Sequence, residues 1–206
     1  MKTKGKIFIV LGLLLIIAAL GLTAYNVLAG LQAQRRSNEV LGPLQDLILQ
    51  CQGGEHISDS ELLYSDYMRV YPDMPTEEID GYDYIGVLEI PELELSLPVM
   101  AEWDYTALQI APCRYTGNYY GRDMVVCAHN FAHHFRPLLT ISPGTDVYFT
   151  NVVGEVFHYT VTTRETVRPT AIEKMIDSEA DWDLTLFTCN LGGRTRCAVR
   201  CEWVKD

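Results

Sequence analysis

Two stretches of the chain hold side chains able to carry out acyl-transfer chemistry. In Leu184–Val204, LTLFTCNLGGRTRCAVRCEWV, a β-like run ends at Thr188-Cys189, turns through Gly192-Gly193 and returns as a second run from Arg196. Cys189 therefore sits at a strand end, where a nucleophile is both rigidly held and reachable. The returning strand pairs back beside the first, so the Arg196 guanidinium can lie near the sulfur. A cation there favours the thiolate and stabilises an oxyanion. The second stretch is Met124–His134, MVVCAHNFAHH, in which an apolar strand delivers His129 at its end. A Cys beside a His is the minimal acyl-transfer pair.

The same residue types allow a rival chemistry. His129 and His133 are four apart, and Cys127, Cys189, Cys197 and Cys201 could supply thiolates to zinc. However, a spacing of four brings two side chains together only on a helix, and no C-x₂-C knuckle is present, so no metal site is expected. His56, His134 and His158 read as surface residues. The six cysteines are scattered through a domain that is not small, so they need not pair as a set. Cys197 and Cys201 share a strand face but lie about 13 Å apart at strand rise, too far for a disulfide. Buried free thiols are the expected state of most of them.

The elements that must position these residues are mostly short strands. From Tyr84 onward, β-like runs at Tyr84–Ile90, Leu95–Met100, Asp123–Ala128, Asp146–Thr150, Val156–Thr163, Leu184–Cys189 and Arg196–Val204 are separated by turn residues. Short helices are expected near Tyr105–Ile110 and Ala171–Ile176. The pattern predicts a mostly β domain over residues 84–206, a barrel or sandwich. Upstream, residues 30–83 divide into an amphipathic helix and an acidic linker. Val40, Leu41, Leu44, Leu47, Ile48 and Cys51 form the helix face, which Gly53-Gly54 ends. The part from Glu55 to Asp83 reads as a short helical piece followed by linker, with a lid over the site as the alternative.

Ile7–Ala29 is apolar and uncharged, long enough to span a bilayer as a helix. Lys2, Lys4 and Lys6 in the short 1–6 segment give a modest bias for a cytoplasmic N-terminus, which leaves the remainder outside the cytoplasm. Val27-Leu28-Ala29 has the small-x-small form of a cleavage site, but the apolar run exceeds a typical signal core. The formal net charge of −11 argues against a nucleic-acid partner and against an anionic-lipid-binding surface.

Several ordered pieces of the chain resemble the sortase family of Gram-positive cell-surface transpeptidases. They are Tyr84-Ile85-Gly86-Val87-Leu88-Glu89-Ile90-Pro91, Leu97-Pro98-Val99, Cys127-Ala128-His129-Asn130, then Phe135 and Leu138-Leu139 before Gly144, and Thr185-Leu186-Phe187-Thr188-Cys189 followed by Arg196. The resemblance covers residues 84–204. It implies an eight-stranded β-barrel and cleavage of a C-terminal sorting motif, often Leu-Pro-x-Thr-Gly, on surface proteins. In that scheme Cys189 attacks the Thr carbonyl, His129 protonates the leaving Gly amine, and an amine such as one on a peptidoglycan precursor takes the acyl group. Arg196 is the family's clamp. Arg194 competes with it, but Cys197-Ala198-Val199 continues the family strand directly after Arg196. Thr188, Asn130 and Arg194 are candidate substrate contacts. Cys127 stands where a small residue is common. No cofactor is implied, and the residues do not decide a calcium requirement.

The chain order His129 then Cys189 excludes a papain-like arrangement, and the Gln-Ala-Cys of caspases is missing. A surface-tethered sortase-like binding module without catalysis is the non-enzymatic alternative. The amphipathic helix before the barrel leans toward class B, and the lack of a second, C-terminal anchor leans away from the pilus-polymerising class.

Overall fold

The computed structural model describes residues 2–53, 74–176 and 182–204. Most of the expected helical piece and acidic linker lies outside the described residues. The apolar run and the amphipathic segment form one uninterrupted helix, α1 (Lys2–Gly53), which carries Pro43 in its interior. Through residues 7–28 its large apolar side chains are exposed, and it is the one described helix long and apolar enough to cross a membrane. Further along, Ala33, Ser37, Val40, Leu44 and Ile48 are buried at helical spacing. This stripe reaches the Gln52 amide, which donates to the Gly154 carbonyl at 2.9 Å. Cys51 is exposed rather than part of the face, whose last buried residue is Ile48.

The remainder is one mixed sheet of β1 (Glu77–Ile79), β2 (Tyr82–Ile90), β3 (Leu95–Met100), β4 (Cys113–Thr116), β5 (Met124–Cys127), β6 (Asp146–Asn151), β7 (Val156–Val167), β8 (Leu184–Cys189) and β9 (Arg196–Trp203). The strand order is β1-β2-β3-β4-β5-β8-β9-β7-β6, and β2 also pairs with β6. That pairing closes β2 to β9 into an eight-stranded barrel, as the resemblance implied. The β3–β4 and β5–β8 contacts are parallel and the others antiparallel. Closure depends on Gly86, since a Cβ there would lie 2.1 Å from the Thr150 carbonyl oxygen on β6. No side chain fits in that gap.

Strand pairing begins before the expected domain start at residue 84. Asp80 and Gly81, at φ 53° and 79°, make a two-residue turn that folds β1 back onto β2. β4 was not among the expected strands. It is short, carries polar Arg114 and Thr116, and is pinned by β5 rather than by its own alternation. The two expected short helices are single 3₁₀ turns, Ala107–Gln109 and Ile172–Lys174.

Side chains alternate across the wall of the barrel. Leu184, Leu186, Val126, Val199, Phe149 and Tyr159 fill the interior. On the outer face, Val40, Leu44 and Ile48 of α1 pack with Val87, Met100, Leu108 and Cys127. β2 is thus buried on both sides, which explains its near-continuous apolar run. Burying a side chain such as Leu44 contributes about 2 kcal/mol.

One histidine departs from the surface expectation. His134 is fully buried, not exposed, because the turn that returns its amide to the Phe131 carbonyl folds the ring inward beside Phe131, at 5.6 Å between centroids. Neither of its ring nitrogens has a hydrogen-bond partner. Burial, reinforced by His129 and His133, pushes its pKa down to about 4. The unfolded chain binds this proton near 6.5, so stability is fully present above that pH and is lost as pH falls toward 4. The loss amounts to roughly 3 kcal/mol. Urea unfolding midpoints measured across this range should fall more steeply for the wild type than for His134→Leu; parallel curves would refute the assignment. His158, by contrast, is half-buried with Nε2 2.9 Å from Asp146 Oδ1. His56 lies outside the described residues.

Candidate active site

The site forms where three neighbouring strands end together. β5 and β8 run parallel, with Cys127 opposite Phe187. Beyond that pair the Ala128 amide donates to the Phe187 carbonyl at 3.2 Å, and the Thr188 hydroxyl donates to the Ala128 carbonyl at 2.8 Å. On the other side β8 pairs antiparallel with β9, and Cys189 stands directly opposite Arg196. With side chains alternating along each strand, Cys127, Phe187 and Ala198 share the outer face. One step further on, His129, Cys189 and Arg196 share it too. Cys189 is therefore on the central strand of the three, between a histidine and an arginine.

These three residues line a cleft of about 230 Å³, together with Ala128, Thr188, Cys127, Leu108 and the aromatic residues Trp103, Tyr105, Tyr115 and Phe187. Trp103 and Tyr115 approach to 5.4 Å between ring centroids, and Tyr115 meets Phe187 edge-on at 5.4 Å. The facing wall is the β7–β8 connection, which contributes Arg168, Pro169, Ile172 and Met175. That connection is anchored by Arg200, a fully buried arginine on β9. Arg200 donates to Glu165 Oε1 at 2.8 and 2.9 Å, to Thr185 Oγ1 at 2.8 Å and to the Lys174 carbonyl. Its guanidinium lies 4.4 Å from the centre of the Trp182 ring. No sequence signal marked it, since one arginine among several on a strand does not reveal its partners.

Cys189 is half-buried, whereas Cys113, Cys127, Cys197 and Cys201 are buried. Desolvation raises the pKa of all four buried thiols, Cys127 to about 12, which keeps them protonated and unreactive. Cys127 is opposite Cys113 on β4, an interstrand neighbour missed because β4 itself was missed.

His129 Nε2 lies 2.9 Å from the Gln109 amide nitrogen, which donates to the neutral ring. Burial lowers the His129 pKa from its ordinary value of 6.5. A rotated Gln109 amide would offer its carbonyl to the protonated ring, so this partner accommodates either charge state. Gln109 also lines a groove against Tyr25, Leu28, Ala29, Gln32 and Arg36 of α1. The helix thereby reaches the residue that touches His129.

Arg196 Nη1 donates to the Gly193 and Thr195 carbonyls at 3.1 and 3.4 Å, which holds the side chain over the β8–β9 turn. Arg194 is exposed in that turn and does not line the cleft. Asn130 is also outside the lining. Its Nδ2 donates to the Cys189 carbonyl at 2.8 Å, and its Oδ1 accepts from Arg136 Nε at 3.0 Å. Thr188 lines the cleft, although its hydroxyl is occupied by Ala128. Among the described residues no three His, Cys, Asp or Glu side chains converge as a metal site would need.

Comparison with known proteins agrees with this architecture. The family model described as the Sortase domain matches residues 88–204. No relative is found among curated proteins by sequence comparison. Among solved structures, sortase C of Streptococcus pneumoniae superposes with TM-score 0.61 at 17% identity, covering 82% of this chain and 97% of that one. Sortase A from Corynebacterium diphtheriae gives 0.54 at 19% identity over 90% and 96% of the two chains. Sortase C1 of Streptococcus suis gives 0.51 at 24% identity over 70% and 80%. These likenesses are to the fold.

Proposed function

This chain belongs to the sortase family, and from that premise we propose that it is a membrane-anchored cysteine transpeptidase that cleaves a C-terminal sorting motif of surface proteins. Cys189 attacks the carbonyl of the scissile residue, Arg196 stabilises the resulting oxyanion, and His129 donates its proton to the departing amine. The peptide bond breaks as the thioester forms. A second amine, on a cell-wall precursor, then attacks the thioester and gives up a proton to His129, and Cys189 leaves as the thiolate, which restores the starting thiolate and protonated histidine. The solved pneumococcal relative is described in connection with pilin substrates, which supports a surface-protein donor here. α1 supplies the anchor, with the barrel outside the cytoplasm.

The observation that carries this reading is the arrangement of His129, Cys189 and Arg196 at the ends of β5, β8 and β9 around one cleft. The aromatic rings beside Cys189 give an extended peptide an apolar surface, and polar groups are concentrated at the reacting end. The test is to incubate the full chain in detergent with fluorogenic peptides of the Leu-Pro-x-Thr-Gly kind and to look by mass spectrometry for an acyl adduct on Cys189. The adduct is expected with the wild type and absent with Cys189→Ala. Failure to acylate Cys189 across a library varied at every motif position would overturn the enzymatic reading in favour of a binding module.

A further inference from the structure

The cleft is electrically the reverse of the molecule around it. The chain carries a net charge of −11, yet among the described residues the cleft lining includes two arginines, Arg168 and Arg196, and no carboxylate. Arg196 has an explanation in the reaction and is tied to two carbonyls of its own turn. Arg168 has neither. It follows β7 directly, after the point where Val167 is opposite Arg196, and it lines the cleft. Its backbone carbonyl accepts the Ala171 amide, which fixes the turn. Among the described residues its guanidinium has no ion pair or hydrogen bond. Asp104, between the lining residues Trp103 and Tyr105, is not itself in the lining, and its Oδ1 accepts the Thr106 and Ala107 amides.

Arg168 is exposed at the rim of the cleft, and unlike Arg194 it lines the site, where its unpaired guanidinium can meet an anion held in the cleft and a carboxylate matches its donor fork. The acidic character of the rest of the protein makes the contrast selective, because an anionic peptide is repelled elsewhere and accepted here. We propose that Arg168 is a specificity-determining residue that receives a carboxylate carried by one of the two peptides meeting at Cys189. In the donor this would be an acidic residue beside the scissile bond; in the acceptor it would be a carboxylate near the attacking amine. The inference rests on the transpeptidase reading and adds the charge class of its substrate.

The two can be tested apart. Binding of labelled donor peptides with Glu, Gln or Lys at the variable motif position is measured by fluorescence anisotropy on the full chain carrying Cys189→Ala, which needs no turnover. The acceptor arm measures, on the enzyme with Cys189 intact, the capture of the acyl group by glycine peptides with a free or an amidated carboxyl terminus. In one of the two arms the carboxylate form is expected to be favoured by about tenfold. Arg168→Gln should abolish the preference, Arg168→Glu should turn it toward the cationic or amidated form, and added salt should weaken it. A preference in the donor arm alone identifies the donor as the carrier, and one in the acceptor arm alone identifies the acceptor. Equal treatment of all charges in both arms, or a preference that survives Arg168→Gln, overturns the proposal while leaving transpeptidation intact. If Cys189 acylates with no peptide, the transpeptidase reading fails, and the donor arm still decides whether Arg168 selects an anion.

Discussion

Alanine at position 129 is expected to slow acyl transfer by roughly a hundred- to ten-thousandfold, the usual range for loss of a positioned general acid. The expected cause is loss of the proton that the departing amine requires. Activated ester donors, whose leaving groups need no proton, should therefore recover much of the rate in His129→Ala. An equal deficit with amide and activated ester would reject the acid role. The pH dependence has a definite sign. Because burial lowers the His129 pKa below 6.5, the protonated ring becomes a minority as pH rises through that lowered value. Only a fraction of molecules then holds the acid at neutral pH, and slow turnover follows. A histidine proton NMR titration assigned by the His129→Ala variant should give a midpoint below 6.5; a midpoint above it would contradict the effect of the surrounding apolar wall.

Arginine 196 carries the second large expectation. Its replacement by alanine should cost about a hundred- to a thousandfold in kcat/KM, the loss typical of removing one preorganised oxyanion donor. Arg194→Ala should stay within about threefold, because an exposed side chain in a turn contributes little beyond screened charge. Arg196 is directly opposite Cys189, with its guanidinium tethered to Gly193 and Thr195. That tether removes rotamer freedom before substrate arrives, which distinguishes it from Arg194. Steady-state kinetics on the two variants decide the matter, and a greater loss in Arg194→Ala would reverse the roles. Arg196→Lys should recover only part of the activity, since an ammonium lacks the planar donor fork.

The legibility of the fold varied with how local its causes are. β2, β3, β6, β8 and β9 were read close to their observed bounds because each has its own apolar pattern and turn residues. The β1–β2 hairpin carries its own signal, Asp80-Gly81 between Ile79 and Tyr82, although the acidic residues around it read as linker. β4 gave no comparable signal, because Cys113–Thr116 becomes a strand through its pairing with β5 and β3. The burial of His134 and Arg200 was equally invisible. Whether a polar side chain is enclosed depends on what packs over it, and for Arg200 those partners come from β7, β8 and the loop between them.

By itself the sequence determined the components of the candidate site: a thiol at a strand end, a histidine at another, an arginine on the returning strand, and an apolar helix ahead of the domain. These follow from periodicity and turn chemistry, which act over a few residues. Only the tertiary structure decided that β5 lies parallel to β8, so that His129 and Arg196 flank Cys189 from opposite sides. It also decided that Arg168 enters the same cleft and that Gln109 joins His129 to the face of α1. Parallel neighbours are joined through a long crossover, and no short-range pattern in the chain specifies which two strands that crossover will bring side by side.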